Sequence, residues 1–97
     1  LEKLHNNQEN TNLMIELSNK LYSIKEYDNA INYCQEVIKL DSSNKFAYNN
    51  MCSCYNQKKQ WKLAKSACEK ALLIDPNFQI AKNNLNWALG GLNNNVK

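Results

Sequence analysis

The sequence predicts an all-helical fold in which antiparallel helix pairs stack along the chain. Two observations carry this prediction: apolar residues return at helical spacing, and a set of small and apolar residues recurs after 34 positions. A repeated unit of this kind buries its apolar face only by stacking on its neighbours, so the 97 residues form one domain. The recurring residues are Ala30, Cys34 and Val37 in the first copy and Ala64, Cys68 and Ala71 in the second.

Five helices are predicted, each from a single apolar stripe. In none of these stretches do apolar and polar residues alternate as in a strand. The predicted spans are 11–24, 28–40, 45–56, 62–74 and 79 to about 89. The fifth helix is expected to end at Gly90-Gly91.

Helix boundaries are predicted from residues that satisfy free backbone groups. Asp28, Ser43 and Asp75 stand where N-caps are expected, and Pro76 suits a first helical turn. The connections are then a few residues long, as between antiparallel neighbours. The resulting division is 1–10 as an N-terminal extension or the end of a preceding repeat, 11–44 and 45–78 as two repeats, 79–92 as a capping helix, and 93–97 as a frayed tail.

The repeated unit has a recognisable residue pattern. Its second copy reads Tyr48-x-x-Met51-Cys52-x-x-Tyr55, then Ala64-x-x-x-Cys68, then Ala71 and Asp75-Pro76. This pattern resembles the tetratricopeptide repeat family, with two full repeats over residues 11–78 and a third first helix from about Gln79. The resemblance implies a right-handed superhelical stack of helix pairs, an α-solenoid. Its concave face, lined by the first helix of each pair, would bind peptides or partner proteins.

Asparagine is the compositional outlier, with 18 of 97 residues, and many of these side chains are expected simply to fill solvent positions. Asn49-Asn50 and Asn83-Asn84, however, are one repeat apart in successive first helices. A carboxamide both donates and accepts, so a ladder of them can hold a peptide backbone with micromolar affinity. The predicted groove residues are Asn19, Asn49, Asn50, Ser53, Asn56, Asn83, Asn84 and Trp87. For Trp87, packing on the C-terminal tail is an equal alternative.

Two branches of the family offer different precedents for a groove. The Asn-rich first helices look like those of the O-linked N-acetylglucosamine transferases, which implies that Asn50 and Asn84 are matching rungs. Chaperone co-factors instead use a carboxylate clamp that needs three basic residues. The corresponding places here hold Ile15, Asn19, Asn50, Ile80 and Asn84. Because all three cations are missing, a clamp for a terminal carboxylate is not expected.

Four cysteines raise the question of metal or disulfide chemistry. Cys52 and Cys54 diverge by about 200° around a helix and cannot converge on zinc. Cys34 and Cys68 occupy equivalent packing positions, so all four thiols are expected to be free and to pack as small apolar residues. Free thiols favour a reducing compartment such as the cytoplasm.

Several functional classes find little support in the composition. The net charge is +3 and arginine is absent, which argues against a nucleic-acid partner. No stretch is long and apolar enough for membrane insertion. The single His5 is expected to be solvated, and no catalytic residue, metal site or cofactor is predicted.

The function predicted from the sequence is a non-enzymatic protein-interaction module with an Asn-lined groove. The chain starts at Leu1 without Met, and we expect it to be a piece of a longer protein. The alternative is a structural spacer or dimerisation arm of a larger enzyme, for example a glycosyltransferase-like chain. Self-association through the array ends or Trp87 is a further expectation, since leftover apolar surface needs cover.

Overall fold

The computed structural model describes the backbone of residues 2–96 and the side chains of residues 8–94. Within this range the chain forms five α-helices and no strands, which confirms the predicted all-helical fold. The side chain of His5 lies outside the described residues. The helices are α1 (Glu2–Ser23), α2 (Tyr27–Leu40), α3 (Lys45–Gln57), α4 (Trp61–Ile74) and α5 (Gln79–Val96).

Each helix packs against the next one in the chain, as short connections require. In addition, α3 contacts both α1 and α5, so that these three helices lie side by side along one face of the stack. We call this face the groove face. The second helices, α2 and α4, lie behind it and complete a solenoid of stacked pairs.

Small side chains fill the space between the helices. The positions that recur after 34 residues, from Ala30 and Cys34 to their counterparts Ala64 and Cys68, are fully buried. Small residues at these positions let the helix axes approach closely, and the larger apolar residues Met51, Tyr55 and Leu85 fill the remaining gaps.

Two of the cysteines are bonded to each other, so the prediction of four free thiols is wrong. Cys52 of α3 and Cys68 of α4 form a disulfide, with Cα atoms 5.4 Å apart. Both fully buried residues face the same helix–helix junction, whereas Cys54 points to the opposite side of α3, against α2. The argument for a reducing compartment, which rested on free thiols, therefore fails.

The expected helix N-caps are also wrong. Asp28 lies in the first turn of α2, which begins at Tyr27 and has no side-chain cap. α3 is capped by Asn44, not Ser43: its side chain accepts a hydrogen bond from the Ala47 amide at 3.1 Å.

At the next junction, Asp75 follows the C-terminal end of α4 instead of capping a helix start. Its Oδ1 accepts from the Asn77 amide at 3.1 Å, an Asx turn that reverses the chain. Pro76 lies in this turn, ahead of the first residue of α5 at Gln79.

Both terminal helices are longer than predicted. α1 begins at Glu2, so residues 2–10 continue the first helix and do not end a preceding one. α5 continues through Gly90-Gly91 to Val96. Gly91 is needed for packing: a Cβ there would lie 2.2 Å from Cδ2 of the Trp61 indole.

The turns between paired helices share one unusual feature. Lys25 and Lys59, 34 residues apart, have φ values of 67° and 60°, in the left-handed region. In each turn, the amide of the residue after this lysine donates to a carbonyl in the last turn of the preceding helix. In the first repeat, the Glu26 amide donates to the Leu21 carbonyl at 2.8 Å. Both turns are Schellman motifs with lysine where glycine is usual.

Candidate functional site

The groove face carries a cavity between its three helices. This cavity has a volume of about 330 Å³, and none of its lining residues is charged. Four of the predicted groove residues are among them. The lining consists of Asn19, Tyr22, Asn49, Asn50, Ser53 and Ile80.

The Asn50 side chain spans α3 and α1. Its Nδ2 donates to Ser18 Oγ at 2.8 Å and to Asn19 Oδ1 at 2.9 Å. The Ser18 hydroxyl donates its single hydrogen to the Ile15 carbonyl at 2.9 Å, so it can only accept from Asn50. This acceptor fixes the orientation of the Asn50 amide. Both N–H groups of Asn50 are therefore used within the protein.

Asn84 repeats this arrangement one repeat later, between α5 and α3. Its Nδ2 donates to Asn49 Oδ1 and to Ser53 Oγ, both at 2.9 Å. The two amides, 34 residues apart, therefore tie successive first helices together. This is a structural role that the sequence did not reveal.

Asn56 also has a structural place. It is 1% exposed, and its Nδ2 donates to the Asn84 backbone carbonyl at 3.0 Å. Its Oδ1 is buried without a protein partner. Since Asn56 is enclosed, it is not available on the surface of the groove.

Asn83 and Trp87 lie on α5 outside the cavity lining. Asn83 is exposed and accepts from Gln79 at 3.0 Å. Trp87 is 40% exposed and follows Ile80 by seven residues, which places both on the same side of α5. Trp87 also occupies the repeat position that Ser53 and Asn19 occupy in the preceding first helices.

Two cavity residues were not predicted as groove residues. Tyr22 and Ile80 form apolar walls beside the amides, and the Tyr22 hydroxyl accepts from Gln57 Nε2 at 2.9 Å. Two signals were present for Ile80: it stands at a place of the carboxylate clamp, and it precedes Trp87 by seven residues, which is two helical turns. For Tyr22 the polar positions around it gave no such indication.

Lysines near the repeat junctions have acidic partners. Lys45 binds Asp75 at 2.6 Å, and Lys58 binds Asp28 across the first repeat boundary. The Lys45 hydrogen bond is the main cause that lowers the pKa of Asp75. Neither of these lysines lines the cavity between α1, α3 and α5.

The remaining thiols are poor nucleophiles. Burial is the main cause that raises the pKa of Cys34 to about 11 and that of Cys54 to about 12. Among the described residues, no group of three or more His, Cys, Asp or Glu side chains is placed to hold a metal ion. None of the helices in the described part of the chain has the length and apolar character to cross a bilayer.

A short helical pair that recurs after 34 residues and stacks on its copy defines an α-solenoid repeat protein. Tetratricopeptide repeat models match residues 12–44 and 46–78. The chain belongs to the tetratricopeptide repeat family, a class of protein–protein interaction modules.

Curated relatives and solved structures similar to this chain include the following. Sperm-associated antigen 1 of Rattus norvegicus and of Mus musculus is 37% identical over 79 residues, 81% of this chain. The match spans 9% of the length of each of these relatives.

The Arabidopsis OM64 TPR domain superposes with a TM-score of 0.84 at 30% identity, over 89% of this chain and 71% of that one. The second TPR of Spaghetti (RPAP3), bound to the HSP90 peptide SRMEEVD, gives a TM-score of 0.77 at 20% identity. That match covers 96% of this chain and 94% of the other. At this identity the match with Spaghetti shows the shared fold alone.

Proposed function

We propose that this chain binds a peptide or protein segment on its groove face and has no catalytic role of its own. The single observation that carries the proposal is the uncharged cavity of about 330 Å³ between α1, α3 and α5. It combines polar side chains with apolar walls, the usual make-up of a ligand site. A solved structure of the same fold with a bound peptide supports this reading.

The apolar walls offer binding energy that the protein itself leaves unused. Ile80 is 57% exposed and Trp87 is 40% exposed, both on the groove side of α5. Covering an exposed side chain of this size with a ligand contributes about 1 kcal/mol or more. The amides between the helices then restrict where polar groups of a ligand can lie.

The test uses substitutions that leave the helix-bridging amides intact. Truncating Asn50 or Asn84 is unsuitable, because each links two helices and its loss disturbs folding as well as binding. Ile80→Ser removes an apolar wall at an exposed site. Leu73→Ser is the matched control, because Leu73 is 82% exposed on α4, outside the groove lining.

We would select ligands from a library of random peptides displayed with both ends fused, and measure the affinity of the enriched peptides for each variant by fluorescence anisotropy. The expected result is a loss of about fivefold or more for Ile80→Ser and no change for Leu73→Ser. If both variants bind the peptides with the same affinity as each other, the peptides do not bind at the groove face. A library without enrichment would favour the structural spacer.

A second candidate function, self-association, has its own observation. Leu63 and Leu73 lie exposed on α4 at positions where the first repeat carries Asn29 and Lys39. Exposed apolar side chains of this kind serve as contacts between molecules when they are contiguous. Sedimentation velocity of the wild type and of Leu73→Ser across a concentration series tests it. If both proteins remain monomers at every concentration, this contact is excluded.

A further inference from the structure

We infer that the groove is a hydrogen-bond acceptor surface that selects internal, non-acidic peptide segments supplying backbone N–H donors. This inference rests on the proposed function and specifies the ligand of the same site. It also departs from the expected asparagine ladder, in which each carboxamide would both donate to and accept from the ligand.

The donors of the two bridging amides are fully occupied. A carboxamide nitrogen carries two hydrogens, and Asn50 directs both to Ser18 and Asn19 of α1. Asn84 directs both of its hydrogens to Asn49 and Ser53 of α3. A ligand that needs N–H donors from these two amides would have to break a hydrogen bond between helices to obtain them.

The carbonyl oxygens of the same two amides remain available. Among the described residues, neither Asn50 Oδ1 nor Asn84 Oδ1 accepts a hydrogen bond. Neither of them is enclosed either, because Asn56 Oδ1 is the one side-chain oxygen or nitrogen of these residues that is both buried and without a partner. The oxygens of Asn50 and Asn84 are therefore open to solvent and can accept from a ligand. Accepting there costs the protein none of its own hydrogen bonds.

The electrostatics of the cavity disfavour a ligand carboxylate. A carboxylate needs donors or cations when it leaves water, and the cavity lining contains no charged residue. Lys45 and Lys58, on α3 and just after it, are paired with Asp75 and Asp28. The acceptor oxygens of the rungs would repel a negative group further.

A peptide in extended conformation meets these conditions. Its N–H groups point to the same edge at every second residue, so one edge can face the rung oxygens of successive first helices. Side chains then extend to either side, where Tyr22 and Ile80 provide apolar walls. An internal segment supplies N–H donors without the negative charge of a C-terminus.

The experiment compares chemically matched forms of one ligand. The strongest peptide selected above is synthesised with acetylated and amidated ends. Two further versions are methylated on backbone nitrogens, one at odd and one at even residues. A fourth carries glutamate at its central position, and SRMEEVD with a free carboxylate, the peptide of the Spaghetti structure, serves as the acidic probe.

We expect the selected pool to be depleted in Asp and Glu. One methylated register should bind about fivefold or more weakly, the loss of one or two net hydrogen bonds, and the other should bind like the parent. The glutamate version and SRMEEVD should bind at least tenfold more weakly than the parent. Ile80→Lys, which places a cation at the exposed wall, should reduce this penalty for SRMEEVD.

Three results would overturn the inference. They are enrichment of acidic peptides, insensitivity to methylation in both registers, and tighter binding of SRMEEVD than of the blocked parent peptide. If such peptides still lose affinity with Ile80→Ser and not with Leu73→Ser, the groove remains the binding site and only the ligand class is wrong. Absence of any enriched peptide would remove both proposals together.

Discussion

The two repeats close the junction between their paired helices with different chemistry at the same positions. In the second repeat, Cys52 and Cys68 form a disulfide. Thirty-four residues earlier the same positions hold Ser18 and Cys34, and Cys34 is a free, buried thiol. The helix-pair scaffold therefore forms with or without a covalent bond at this junction, in the same helix order.

This difference extends to the neighbouring bridge between repeats. Asn50 uses Ser18 as an acceptor, but the equivalent acceptor for Asn84 would be the disulfide-bonded Cys52. Asn84 bonds to Asn49 instead, at a position where the first repeat has Ile15 and no side-chain acceptor. The residue at one position of a repeat thus determines which atoms accept hydrogen bonds from the first helix of the next repeat.

The largest expected effect comes from giving the second repeat the chemistry of the first. Cys52→Ser removes the disulfide, whose cysteines are 16 residues apart, and should lower the free energy of unfolding by about 3 kcal/mol. Urea denaturation monitored by circular dichroism measures this, with the reduced wild type as a second reading of the same loss. If thiol titration finds four free cysteines in the non-reduced protein, the comparison between repeats fails at its first step.

The reverse change tests whether the first repeat can adopt the chemistry of the second. Ser18→Cys places a thiol opposite Cys34 in the register of Cys52 and Cys68, and should form a second disulfide that stabilises the protein by about 2 kcal/mol. The gain is smaller than the loss above because Asn50 gives up its Ser18 acceptor. Mass spectrometry detects the second disulfide by the loss of two hydrogens, and urea denaturation measures the gain in stability. The control is Cys34→Ala in the Ser18→Cys protein, which cannot form this disulfide.

The repeat register could be predicted from the sequence because burial of small residues depends on spacing alone. Ala30 and Ala64 are equivalent in sequence and both fully buried in the structure. The disulfide could not be predicted in the same way. Whether two cysteines on different helices meet depends on axial offset between the helices, and spacing along one helix contains no information about that offset.

The third prediction concerns the aromatic residue that opens each second helix. Trp61 replaces the smaller Tyr27 of the first repeat and packs against Gly91. Gly91→Ala puts a methyl group into the indole ring and should destabilise the protein by about 2 kcal/mol. The neighbouring Gly90→Ala meets nothing within 4 Å and should stabilise α5 by up to about 1 kcal/mol. Opposite shifts in the urea midpoint of the two variants are the expected outcome, and a shared sign would contradict this packing.

The fourth prediction compares the two bridging amides. Asn50→Ala and Asn84→Ala each remove two hydrogen bonds between helices, of which only the one from Asn50 to Asn19 is exposed, and each should cost about 1 to 2 kcal/mol. Asn83→Ala is the matched control, since it removes one exposed contact and should change stability by less than about 0.5 kcal/mol. Equal stability of all three variants would show that the amides do not hold the helices together.

The bridging role could not be predicted from the asparagine pattern. The sequence places Asn50 and Asn84 in register, but a carboxamide at a helix surface can turn toward a ligand or toward the adjacent helix. The choice depends on the distance to acceptors such as Ser18 on another helix, and hence on the packing of α1 against α3. Sequence reasoning located the cavity region and four of its lining residues, but it could not determine which side-chain atoms bridge the helices and which stay open to solvent.

The smallest expected effect lies where the repeats are most alike, in their left-handed turns. Lys25 and Lys59 have nearly equal φ values of 67° and 60°, a conformation that glycine adopts without steric cost. Each Lys→Gly change should stabilise the protein by about 0.5 kcal/mol, because relief of the steric cost exceeds the added entropy of the unfolded chain. Lys59→Val is the control and should be destabilising, since a β-branched residue fits this region worst. Equal gains in the free energy of unfolding at both sites would show that the repeats differ at their helix junctions and not in their turns. A gain at only one site would show that the backbone of the turns differs as well.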